Sequence, residues 1–167
     1  WCENKLSNGI YAKDLILHII NQLGVKAGVG YAYEFAGPAI SALSMEERMT
    51  ICNMAIEGGA RCGYINPDQN TFNYIKDKLC SPQDENWDKA IKWWESLKSN
   101  ENSIYDDVVK LDASKVEPTV TWGITPGQSI GINQTIPSIN ELDKNDQFIA
   151  GEAFEYMGFK PGQTIKG

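Results

Sequence analysis

The chain has 167 residues, of which 42% are hydrophobic and 22% charged, and carries a formal net charge of −7. That length suits one domain with a sizeable core, and the composition is ordinary for a soluble globular protein. The acidic balance and the lack of a basic patch exclude a nucleic-acid surface and disfavour an anionic membrane. No apolar run is long enough to cross a bilayer; the longest, 15–20, is interrupted by His18.

The chain opens Trp1-Cys2-Glu3-Asn4-Lys5, without Met and without the charged start and apolar stretch of a secretory signal. It reads as a processed or excised piece from the cytosol or a comparable reducing space. The four cysteines, Cys2, Cys52, Cys62 and Cys80, form no CxxC or CxxxC arrangement. No local metal site is expected, and the thiols read as reduced.

In chain order, Ala12 to Leu23 reads as a buried helix, since Leu15, Ile16, Leu17, Ile19, Ile20 and Leu23 cover most of its circumference. Gly24 stands where a C-cap glycine belongs. Residues 29–35 read as a strand. Ser44 with Glu47 is a capping box, so a helix is expected from there to Glu57, with Met45, Met49, Cys52 and Ile56 on its apolar face. Residues 62–65 read as a short strand. A helix follows with Asn66 as cap, Pro67 at its first position, and Phe72, Ile75 and Leu79 inward. Trp87, Ala90, Ile91, Trp94 and Leu97 make a further helical stripe, with Trp93 outward. Residues 105–111 and 119–122 read as strands, with a turn at Thr125-Pro126-Gly127-Gln128. A last helix starts near Asp143. Strands alternating with helices imply an α/β layered architecture with a largely parallel sheet, one domain over 1–167.

The polar pair singled out is Asn53 and Glu57. Four apart on one helix, they project to one face, and that face borders the apolar stripe, so both are expected to be partly buried. A buried carboxylate is a candidate acid–base group, and a buried amide can orient a ligand or tune a metal centre. The bland alternative is a solvated Glu57 beside a Gly-Gly cap and an Asn53 bonded to a neighbouring loop. His18, the one histidine, reads as a core or rim residue, since no carboxylate cluster accompanies it. Gly28-Val29-Gly30 follows a helix and precedes a strand, the reverse of a dinucleotide loop. From the residues alone the chain is a soluble acidic α/β domain with one weak polar pair.

The run Arg48-Met49-Thr50-Ile51-Cys52-Asn53-Met54-Ala55-Ile56-Glu57-Gly58-Gly59-Ala60-Arg61 resembles a signature of the aconitase superfamily. Pro67-Asp68-Gln69-Asn70-Thr71-Phe72 resembles its isopropylmalate dehydratase branch more than aconitase proper. Residues 12–17, Glu34-Phe35-Ala36-Gly37, residues 120–128 and Tyr156-Met157-Gly158 agree, in order, over nearly the whole chain.

The resemblance implies an aconitase-like α/β/α layered domain from a hydro-lyase that dehydrates and rehydrates a hydroxy-dicarboxylate. In that branch 2- and 3-isopropylmalate are interconverted in leucine biosynthesis, with a [4Fe–4S] cluster and a separate small subunit. It implies Glu57 as a catalytic residue at the leaving hydroxyl and Asn53 as an amide beside the cluster. The family's cysteine ligands, in Cys-Thr-Asn and Cys-x-x-Cys contexts, do not occur here, and neither does its Asp-Ser-His-Thr region. The chain is therefore expected to be a middle segment that alone binds no cluster and turns over no substrate. Apolar surface left without its neighbouring segments predicts self-association. Other hydro-lyases of the superfamily (homoaconitase, or a citraconate or methylmalate hydratase) and a non-catalytic binding or assembly module are the competing expectations.

Overall fold

A computed structural model of the chain describes residues 1–142 and 144–166. Among these residues the strands are short and pair in three two-stranded ladders. Strand β1 (Cys2–Glu3) runs parallel to β4 (Leu111–Asp112), and β2 (Tyr33–Glu34) parallel to β3 (Gly63–Tyr64). Strands β5 (Thr119–Thr121) and β6 (Ser129–Gly131) form an antiparallel hairpin, with Val120 opposite Ile130. The chain is thus a mixed α/β fold with two parallel ladders in place of one extended sheet.

Helix α1 (Ala12–Leu23) lies at the centre. Its Leu15, Ile16, Leu17, Ile19 and Ile20 are all buried, and each large side chain removed from water contributes roughly 1.5–3 kcal/mol. All but Leu17 pack with Ile40 of α2 (Pro38–Ser41), Leu43, Ile51, Ala55 and Phe35 into the main core. Asp14 ties the helix start to its surroundings: one carboxylate oxygen accepts from the Tyr11 amide (2.9 Å) and the other from the Thr119 amide at the head of β5 (2.8 Å). At the other end Asn21 donates to the carbonyls of Gly127 (3.2 Å) and Ser129 (2.8 Å), fixing the β5–β6 hairpin against α1.

Helix α3 (Met45–Met54) starts at the expected capping box. The Ser44 amide donates to Glu47 Oε2 (2.9 Å) and the Glu47 amide to Ser44 Oγ (3.3 Å). Its inward face is one position off the expected stripe. Arg48, Ile51, Ala55 and Gly58 are buried, whereas Met49 and Ile56 are exposed. After Met54 the helix tightens into a 3₁₀ turn, Ala55–Gly58, closed by Gly59 in the left-handed conformation (φ 88°).

The other expectations met mixed outcomes. The strand expected over 29–35 shrinks to Tyr33–Glu34, with Val29 exposed, and that over 105–111 leaves only Leu111 paired. Helix α4 (Gln69–Ile75) is capped by Asp68, not Asn66, and Leu79 is fully exposed. Helix α5 (Glu85–Glu95) buries none of its side chains completely. It docks through Trp94, stacked on Phe72 with ring centroids 6.0 Å apart and met edge-on by Trp87 at 5.8 Å. Trp93 faces outward as expected and Leu97 is half exposed. Helix α6 (Lys144–Met157) closes a second small core of Trp122, Ile136, Ala150 and Phe154; the start expected at Asp143 lies outside the described residues. The four cysteines are free thiols. Among the described residues, no helix is long and apolar enough to cross a membrane.

Candidate functional site

The 3₁₀ turn decides where Glu57 points. In a 3₁₀ turn side chains three apart eclipse one another, so Glu57 falls in line with Met54. Both line one cleft of about 690 Å³, together with Tyr11, Lys13, Asp14 and Leu17 from the start of α1 and with the β5–β6 hairpin from Thr119 to Pro126. Asn53 does not line it. Both members of the expected pair are exposed, not partly buried: the winding change after Met54 breaks the four-residue face on which that expectation rested.

The cleft wall is held by backbone pairing and by one side chain. Gln128 is buried, and its Oε1 accepts from the amides of Ile124 (2.7 Å) and Thr125 (3.1 Å). The Trp122 amide donates to the Gln128 carbonyl (2.8 Å), and the Gln128 amide to the Thr125 carbonyl (2.9 Å). The expected turn at Thr125-Pro126-Gly127-Gln128 is therefore the loop of this hairpin, and its tip is the cleft's far wall. Asp14 is committed to two backbone amides. Glu57 is left as a carboxylate open to a ligand, with the ammonium of Lys13 in the same cleft. That combination can attract a carboxylate-bearing substrate and exchange a proton with its hydroxyl. Sequence reasoning missed Lys13 and Tyr11; the signal was their place at the start of a helix whose Asp14 reaches across to β5.

Other polar groups are engaged structurally. Arg48 is 3% exposed. It donates to both oxygens of Asp68 (2.7 and 2.8 Å) and to the carbonyls of Leu43 (3.2 Å) and Ser41 (2.9 Å). Burial raises the Asp68 carboxyl, but the hydrogen bonds and charge of Arg48 and the amides of Thr71 and Asn70 outweigh it and hold it below the usual range. Glu34, beside a second cavity of about 350 Å³, is likewise spent. It accepts from Asn66 (3.0 Å), Ser99 (2.5 Å) and Tyr105 (3.1 Å), strapping the 96–105 segment across β2. His18 is half-buried at the rim of two polar clefts, as expected of a rim histidine, and burial lowers its pKa.

The described residues do not fit an iron–sulfur cluster. Among the described residues no three His, Cys, Asp or Glu side chains gather as metal ligands. Cys2 is buried beside Gly37 on β1, Cys52 is half-buried on α3, and Cys62 and Cys80 are exposed.

The cleft thus places a carboxylate at a helix end facing a hairpin loop. The profile of the aconitase family (aconitate hydratase) matches residues 2–167, and the chain belongs to that family. The chain is 87% identical over 166 residues to the 3-isopropylmalate dehydratase large subunit of Prochlorococcus marinus (strain MIT 9515), covering 99% of this chain and 35% of that protein. It is 62% identical over 167 residues to the protein of the same name from Prochlorococcus marinus (strain MIT 9211), covering 100% of this chain and 36% of that protein. The chain thus spans about a third of the length of the curated relatives it matches.

Proposed function

We propose that the chain is the middle, aconitase-like α/β domain (residues 1–167) of the large subunit of a 3-isopropylmalate dehydratase. That enzyme interconverts 2- and 3-isopropylmalate by removing and re-adding water, a step of leucine biosynthesis in the cytoplasm. The observation that carries the reading is the placement of Glu57 in a cleft whose other walls come from the start of α1 and the β5–β6 hairpin. In this reading Glu57 holds the departing hydroxyl and gives it a proton as the carbon–oxygen bond breaks, then takes the proton back from water on rehydration. Lys13 offers its charge to a substrate carboxylate. Asn53, one turn earlier on the exposed surface of α3, meets groups outside this chain.

The [4Fe–4S] cluster of the intact enzyme is bound by residues outside the chain, beside Asn53, and a separate small subunit completes the substrate site. The chain alone is inactive. The test is an assay of the intact large subunit with its small subunit on 2-isopropylmalate, following formation of the alkene and of 3-isopropylmalate. Turnover by the pair and none by the isolated chain is expected. Preference for homoaconitate or a methylmalate would move the protein to a neighbouring hydro-lyase and overturn the substrate assignment.

A further inference from the structure

Strand β1 is bonded on both sides. The Leu111 amide donates to the Trp1 carbonyl (2.8 Å), and the Cys2 amide donates to the Ala36 carbonyl just past β2 (2.8 Å). The two flanking segments are therefore two strand spacings apart at Cys2, about 10 Å. Both flanks run on beyond Trp1, residues 31–35 on one side and residues 104–107 with Val109 on the other. Between them lies the cavity of about 350 Å³, with Trp1 and Cys2 at one end and Ile19 and Leu23 of α1 in its lining. Backbone groups alternate in direction along a strand. Tyr33 and Phe35 donate to the carbonyls of Cys62 and Tyr64, so Glu34 and Ala36 turn their amides the other way, toward the cavity. From the opposite flank Val109 faces in, its carbonyl accepting from the Trp1 nitrogen (2.5 Å), and Asp107, two residues back, faces the same way. Among the described residues the amides of Ala36, Asp107 and Val109 donate to no backbone acceptor. Unpaired donors on both sides of a slot one strand wide are the pattern that an added strand completes.

We infer that this slot takes a β-strand, the extension of β1 by the polypeptide joined to the Trp1 nitrogen in the intact large subunit; this rests on the reading of the chain as a middle segment of that subunit. The existing bonds set the register. β1 and β2 are joined through helix α1, as parallel neighbours are. The residue joined to the Trp1 nitrogen donates to the Glu34 carbonyl and accepts from the Ala36 amide. The residue before it lies opposite Val108, continuing the pairing of Cys2 with Leu111; it donates to the Asp107 carbonyl and accepts from the Val109 amide. The Asp107 amide is met two residues further back. Side chains alternate as well: Cys2 is buried and Trp1 is half exposed, so the residue joined to Trp1 points inward toward Ile19 and Leu23 and is apolar. A strand from a second copy or from the small subunit would have to displace that residue at the mouth of the slot and lose the register it sets. The added strand joins the two short parallel ladders into one sheet in the order β4-β1-β2-β3.

Hydrogen–deuterium exchange of the intact large subunit, read residue by residue with electron-transfer fragmentation, tests the pairing. The amides of Ala36, Asp107 and Val109 are expected to exchange at least about 100-fold more slowly than unstructured amides, at every protein concentration and with or without the small subunit. Fast exchange at these amides would overturn the inference. So would protection that appears only when the small subunit is added or only as concentration rises, because the strand would then come from another chain. Val109→Pro removes one rung of the ladder and should raise exchange at Asp107 at least about tenfold while that of α1 is unchanged. Unchanged exchange at Asp107 would also overturn the inference, since proline costs nothing where no bond is made; should the variant fail to fold, the exchange of the unsubstituted subunit decides. Turnover is read separately. An active enzyme with fast exchange at these amides would overturn the pairing and leave the enzyme reading standing, and an inactive one with slow exchange would do the reverse.

Discussion

Arg48 and Asp68, twenty residues apart, meet in a two-pronged ion pair, with guanidinium nitrogens 2.7 and 2.8 Å from the two carboxylate oxygens. Asp68 is at the same time the N-cap of α4, accepting from the amides of Asn70 (2.9 Å) and Thr71 (3.3 Å). One carboxylate thus starts a helix and neutralises a buried cation whose other donors hold the loop between α2 and α3. Asn caps a helix about as well as Asp, so Asp68→Asn removes the charge alone, leaves Arg48 buried without its anion, and should cost about 3 kcal/mol in urea unfolding. Asp68→Ala also removes the cap and should cost about 1 kcal/mol more. Equal losses for the two variants would remove the capping role.

Stability should fall in two windows as pH drops. The unfolded histidine takes up a proton near 6.5, whereas burial keeps folded His18 neutral to lower pH. The unfolded state then binds more protons, and stability declines below about 6.5. The carboxylates and lysines around His18, Glu3, Asp112, Glu117, Lys110 and Lys115, lie at the cleft rims. Asp68 repeats the argument lower. Its folded pKa is depressed from 3.8, so its contribution, full above that value, is lost as pH falls through the folded pKa. Urea midpoints measured from neutral pH downward should lose the upper slope in His18→Gln and the lower one in Asp68→Asn.

Two glycines should respond in opposite directions to alanine. At Gly63 the added methyl would press on the Cys52 backbone and on the Ala55 side chain at 3.0 Å, and overpacking of this kind costs roughly 1–3 kcal/mol. Gly151 lies inside α6 with nothing within 4 Å of the added carbon. There alanine should stabilise by about 0.5–1 kcal/mol through helix propensity. Thermal unfolding of both variants checks the pair.

Gln128 holds the cleft's far wall. Gln128→Ala leaves the Ile124 and Thr125 amides without their acceptor, which should cost about 1–3 kcal/mol. Amide hydrogen exchange at those two residues should rise, while that of α1 should be unchanged.

Much of this was legible in the residues. The twelve-residue apolar helix α1 and the Ser44–Glu47 capping box were read with their boundaries, because burial and capping leave local signatures. The strands were overread. Residues 29–35 and 105–111 contain the Val, Tyr and Phe that strands favour, but only two residues at a time find a partner, and Val29 and Val108 face outward. Arg48 was invisible as a core residue because periodicity arguments count a charge as surface, and its partner Asp68 lies beyond the Gly58-Gly59 reversal. The Asn53–Glu57 face failed for a different reason. The i, i+4 rule assumes an α-helix to Glu57, and the change to 3₁₀ winding after Met54 rotates Glu57 into the cleft and leaves Asn53 outside it.

The most direct measurement is the steady-state kinetics of Glu57→Gln in the intact large subunit assembled with its small subunit. The account predicts that kcat for dehydration falls roughly 10²–10⁴-fold, the usual contribution of a proton-transferring side chain, with KM changed only a few-fold. Wild-type kcat in Glu57→Gln would contradict it and leave Glu57 as a solvated residue at the end of α3.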